Sequence, residues 1–206
     1  IMLIQYTIGL EDYVLPLALV VLLSAGGAVA LSKLMGRYGK EKFFIPVVVS
    51  GVLGGVIIYL IKFIGSNLIA KFILFVVGGT LVESSSLMAA GLFNASARDY
   101  TPSDKAGCFQ GVRIIIYVML PMVLASLINP QVIKGFGKVL TATDEVVIKN
   151  VGYKAGDRLY PFEMFLFSAI SAALMIFPAL IVKKRDKALR AEKLSQMEEK
   201  NSADNA

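Results

Sequence analysis

The chain has 206 residues, of which 56% are hydrophobic and 17% charged, and its mean hydropathy is +0.70. A soluble domain is roughly 45–50% apolar and about 25% charged, so the excess points to lipid as the solvent. The single cysteine, Cys108, excludes an internal disulfide framework and a multi-cysteine zinc site, and the lack of histidine excludes histidine-based triads and metal sites.

Residues 1–10 form an apolar run with no basic segment before it. Such a run is a poor signal peptide and too short to span a bilayer. It is expected to be the end of a truncated sixth helix, with the chain a fragment. Five stretches then approach or exceed the length of about 20 apolar residues that a spanning helix needs: 13–34, 43–61, 67–97, 107–129 and 161–182. Runs such as PLALVVLL do not alternate in polarity, which excludes barrel strands. The expected fold is an all-α membrane protein, with five transmembrane helices plus the end of a sixth. A polar loop over 130–160 holds two β-like runs, KVLTA and EVVIKN, which suggest a small hairpin. Residues 183–206 form a basic tail, expected to continue as a helix and fray in NSADNA.

Basic residues orient the bundle. Fourteen Lys and Arg fall on the side of the first loop, the third loop and the tail, and seven on the other. The fourteen are expected to be cytoplasmic, which puts the C-terminus inside and the 130–160 loop outside. This topology accounts for the net charge of +6 without nucleic acid as a partner.

Glu83 is the interior acid of the third span, in GGTLVESSSLMAAGLFN. A carboxylate at bilayer depth is costly and should face protein or water. Helical spacing groups it with Gly79, Ser86, Ala90 and Asn94, a small and polar face expected to pack closely. Leu81, Met88 and Leu92 lie opposite, on a face compatible with lipid. Glu83, Ser86 and Asn94 are candidates to line a solute path, or to hold neighbouring helices together by hydrogen bonds. One carboxylate and three serines do not make a metal site, and Ser84–Ser86 lack both a nucleophile-elbow motif and a histidine base. No catalytic residue is therefore assigned, and the chain does not read as an enzyme.

Two cytoplasmic segments stand out. Gly36-Arg37-Tyr38-Gly39-Lys40 follows the first span as a glycine-permitted turn with cations. Ala97-Arg98-Asp99-Tyr100-Thr101-Pro102-Ser103-Asp104-Lys105 precedes Phe109-Gln110-Gly111-Val112-Arg113, where Thr101-Pro102 ends one helix and Ser103 or Asp104 caps the next. Gly107 and Gly111, four apart, offer a face for close packing.

GRYGKEKFF after one span and ARDYTPSDKAGCFQGVRI opening another resemble the C-terminal half of major facilitator transporters. The likeness is greatest to the glycoside–pentoside–hexuronide:cation symporter family. In the facilitator loop pattern Arg37, Gly39 and Lys40 match, while Ser32 and Gly36 stand where the pattern has glycine and aspartate. The resemblance implies that the five spans correspond to helices eight to twelve of a two-half transporter. Their partner would be a six-helix N-terminal half, with a small polar solute such as a sugar between the halves. It places spans two and five at the periphery, against lipid. It gives Arg37, Gly39, Lys40, Asp99, Gln110 and Arg113 cytoplasmic gating contacts, and it makes Tyr117 of span four a candidate to stack on a sugar ring. No cofactor is implied beyond a coupling cation, Na+ or H+, held mainly by the N-terminal half. The expected function is cation-coupled symport across the plasma (inner) membrane. The alternative is a multi-span scaffold or assembly subunit without transport activity.

Overall fold

The computed structural model describes Ile4, Ile8 and residues 14–101, 106–141 and 156–204. Apart from one antiparallel bridge, these residues are helices, turns and short connections. Helix α1 is Val14–Tyr38, α2 is Phe44–Leu60 and α3 is Leu68–Tyr100. Then come α4 (Ala106–Ile114), α5 (Leu120–Phe136), α6 (Glu163–Leu174) and α7 (Ile176–Asp204). Among the described residues, four helical stretches are long and apolar enough to cross a membrane: Val14–Tyr38, Lys40–Phe63, Leu68–Tyr100 and Glu163–Leu189. This is the pattern of a multi-pass membrane protein.

Helix ends follow local chemistry. The Asn67 side chain accepts from the backbone N–H of Ala70 and caps α3, and Pro102 follows its last turn. Helix α1 runs past 34, so Gly36 is helical rather than part of a turn. The chain reverses at Gly39, whose φ of 90° is open to glycine and strained for other residues.

The fourth span differs from its expected form. It is helical, but a π-turn over Ile115–Met119 separates α4 from α5. Pro121 has no N–H to give to the carbonyl four residues back, and the N–H of Leu120 reaches back five residues to Ile115. The helix also continues through Pro130 to Phe136, well into the segment expected to be loop. Beyond it, Val139 pairs with Arg158 in an antiparallel bridge. EVVIKN, the other expected hairpin strand, lies outside the described residues. The fifth span is two helices that meet at Met175, where Pro178 cannot bond back to Leu174, and the tail stays helical to Asp204.

Helix α2 is the hub. Phe44, Val47, Val48, Gly51, Gly54, Gly55 and Ile58 are buried along it at spacings of three and four. Within this chain it is the most enclosed of the four stretches, packed by α3 on one side and by α6 on another. Glycines set these distances. A Cβ at Gly54 would stand 2.7 Å from the carbonyl oxygen of Gly78, and one at Gly55 would stand 2.9 Å from Cβ of Ala169. Without a hydrophobic drive between helices in lipid, such close backbone approach is what holds them. Apolar clusters lie at both ends of this glycine layer. One joins Ile4, Ile8, Val20, Ile58, Ile61 and Phe75, and the other joins Phe44, Val47, Val48, Met88, Leu92 and Ala179. By contrast, nothing lies within 4 Å of a Cβ built at Gly107 or Gly111, so that expected packing face is open.

Candidate functional site

Helix α3 carries most of the polar chemistry, and its orientation inverts part of the sequence reading. Met88 and Leu92, placed on the lipid-compatible face, are buried against α2 and α7. Ser85 turns inward with them, and its hydroxyl donates to the carbonyl of Val47 at 2.7 Å. Glu83, Ser86 and Ala90 are exposed on the face that the other described residues leave uncovered. Only Gly79 of that group packs closely, against Val20 of α1. The reason is that apolar side chains suit both lipid and a neighbouring helix, so polarity alone does not say which face is covered. Glu83 is central in the 33-residue α3. Its cost at that depth is relieved only if a second bundle or water meets this face.

Asn94 lies about three turns further along the same face, and there it is partly buried. It lines a groove of about 680 Å³ between the end of α3 and α4. Its Oδ1 is buried and has no hydrogen-bond partner among the described residues. Gln110 lines the same groove from α4. The side chains of Arg113 and Tyr117 lie outside the described residues.

The end of the bundle that carries the first loop and the basic tail holds a charge network, with a membership different from the expected one. The Nζ of Lys40 lies 2.6 Å from Oδ2 of Asp99 and 3.2 Å from Oδ2 of Asp186. Asp186, on α7, is nearly enclosed. It also accepts from the hydroxyl of Ser96 at 2.6 Å and from that of Tyr100 at 2.6 Å. Three segments far apart in sequence thus converge on one carboxylate. The left-handed turn at Gly39 sets Lys40 at the start of a 3-10 turn, Lys40–Lys42, facing α3 and α7. Arg37 stands outside this network, exposed on α1 with its guanidinium carbon 6.0 Å from the ring of Tyr38. So Lys40 and Asp99 come together as a pair, and Arg37 does not join them. Asp186 was missed because it reads as one acid in a basic tail, KKRDK. The available signal was its position one helical stretch after an apolar span, still within reach of the packed bundle.

At the other end, Lys62 and Glu163 form an ion pair that ties the end of α2 to the start of α6. Lys71 donates to the carbonyl of Ile8 at 3.0 Å. Among the described residues there is no cluster of three or more His, Cys, Asp or Glu able to hold a metal ion. The chain matches no protein-family model, no curated protein and no solved structure.

Proposed function

We propose that this chain is the C-terminal bundle of a secondary transporter that moves a small polar solute, such as a sugar, by alternating access. Its uncovered α3 face meets an N-terminal six-helix half across the solute path. The coupling ion, Na+ or H+, binds mainly in that half, and the C-terminus is cytoplasmic in the plasma membrane. One observation carries the reading. A carboxylate and a hydroxyl, Glu83 and Ser86, occupy the middle of an apolar helix on the face that the described residues do not cover. Lipid is a poor neighbour for that face, and an aqueous path or a second bundle is a good one.

The inner network fits the reading as a brace. It joins the first loop, α3 and α7 on the side rich in Lys and Arg. Uptake of a panel of radiolabelled sugars into vesicles tests the proposal, using protein that carries both halves and with sodium and proton gradients imposed separately. Gradient-driven uptake that fails in Glu83→Gln supports it. Unchanged uptake and pH dependence in Glu83→Gln removes Glu83 from the path. No uptake of any solute by correctly inserted protein favours the scaffold reading.

A further inference from the structure

The groove between α3 and α4 has a gradient along its length. At the end of α3 it is lined by Arg98 and Thr101, and across from them by Gln110. Toward the middle of the span its walls are Gly91, Val112 and Ile116, while Ala95, Ala97 and Phe109 stand among the polar groups near the end of α3. Asn94 sits between the two zones, one helical turn deeper than Arg98. Arg98 is exposed and makes no ion pair with the described residues. Asn94 presents a buried carbonyl oxygen that lacks a donor.

We infer that this groove is a site for an inner-leaflet anionic phospholipid whose headgroup carries hydroxyls, of the phosphatidylglycerol type. The polarity gradient runs in the direction of a lipid lying in its own leaflet, with the charge at the interface and the apolar part toward the midplane. A water-borne solute would call for polar groups along the whole groove. The Arg98 guanidinium takes the phosphate, with the fork geometry suited to its oxygens. A headgroup hydroxyl supplies the donor that Asn94 Oδ1 lacks, which a choline headgroup cannot do. An acyl chain lies along Gly91, Val112 and Ile116. The site stands on the basic side of the bundle, where anionic headgroups are concentrated by the surrounding Lys and Arg. It does not depend on the transport reading.

Native mass spectrometry of the whole chain in detergent tests it. Dioleoyl phosphatidylglycerol, dioleoyl phosphatidylcholine and soluble glycerol 3-phosphate are titrated separately and in competition. The expected result is one retained phosphatidylglycerol that phosphatidylcholine does not replace. Removing one interfacial cation should weaken it about fivefold in Arg98→Gln, and Arg98→Lys, which keeps the charge without the fork, should fall between that variant and the parent. Asn94→Leu should lower the preference for phosphatidylglycerol over phosphatidylcholine. Lys33→Gln, an exposed cation away from the groove, should leave binding unchanged. Equal retention of both lipids overturns the inference. So does an equal loss in Lys33→Gln, which would mean diffuse attraction, or displacement by glycerol 3-phosphate, which would mean a soluble phosphate ligand.

Discussion

The hydroxyl of Ser96 donates to Oδ2 of Asp186 at 2.6 Å, joining residues ninety apart in sequence. The same carboxylate accepts from Tyr100 and faces Lys40, while its side chain is 2% exposed. It is the point where α3, α7 and the first loop are held together. Asp186→Ala should therefore lower stability by about 3 kcal/mol, because it leaves two hydroxyls and part of an ammonium without their shared acceptor. Asp186→Asn should cost less, since an amide oxygen still accepts. Thermal unfolding in detergent, followed by intrinsic tyrosine fluorescence, measures the order.

Lys40 serves two carboxylates, and the nearer is not expected to matter more. Asp99 is 2.6 Å away with a side chain 37% exposed, whereas Asp186 is 3.2 Å away and enclosed. Water and salt screen the first pair, which should be worth about 0.5 kcal/mol. A double-mutant cycle of Lys40→Met with Asp186→Asn should give a larger coupling than one with Asp99→Asn. The Asp99 coupling should also fade first as salt is raised. A larger coupling to Asp99 would mean that exposure does not set the order.

Gly54 should be intolerant and Gly26 tolerant. The Cβ of Gly54→Ala would meet the backbone of Gly78 and of Val82, at 2.7 and 2.8 Å, and backbone does not give way as a side chain does. The α2–α3 interface must then open, at a cost of about 1–3 kcal/mol. Nothing lies within 4 Å of a Cβ at Gly26 in α1, so Gly26→Ala should stabilise by about 0.5–1 kcal/mol through helix propensity. Denaturation midpoints of the two variants in the same detergent should move in opposite directions.

The uncovered face of α3 makes a labelling prediction. If the proposed transport reading holds, then in a Cys108→Ser background Glu83→Cys and Ser86→Cys should react with a membrane-impermeant maleimide when the proposed N-terminal half is present. Met88→Cys and Leu92→Cys should stay unreacted, because α2 and α7 cover them. Ile73→Cys, exposed in this chain, should also react slowly if lipid covers it. Equal labelling at 83 and 73 would show that both positions share one environment.

Arg158 closes the end of α5. Its guanidinium donates to the carbonyls of Lys134 and Gly137, and the backbone around it pairs with 138–140. The last carbonyls of a helix lack partners within it, so a cation there is favoured by hydrogen bond and dipole together. Arg158→Leu should free this turn at a cost of about 1 kcal/mol. Faster amide hydrogen exchange over 133–140, with α2 and α3 unchanged, is the expected readout.

Solvent, helical class and the starts of α2 and α3 were legible in the sequence, because lipid demands long apolar runs with satisfied backbones, whereas several helix ends were not. The starts of α2 and α3 fall within a residue of the expected bounds. The sequence also marked Glu83, Lys40 and Asp99 as unusual, since charge at those depths and turns is costly or patterned. Tertiary structure decided which face of α3 is covered. Leu, Met and Ser suit a helix neighbour as well as lipid does, so periodicity located a polar stripe without saying what met it. Tertiary structure also chose Asp186 over Arg37 for the inner network. Pairing depended on where α7 emerges and on the backbone turn at Gly39, and neither is encoded in the local pattern of charges.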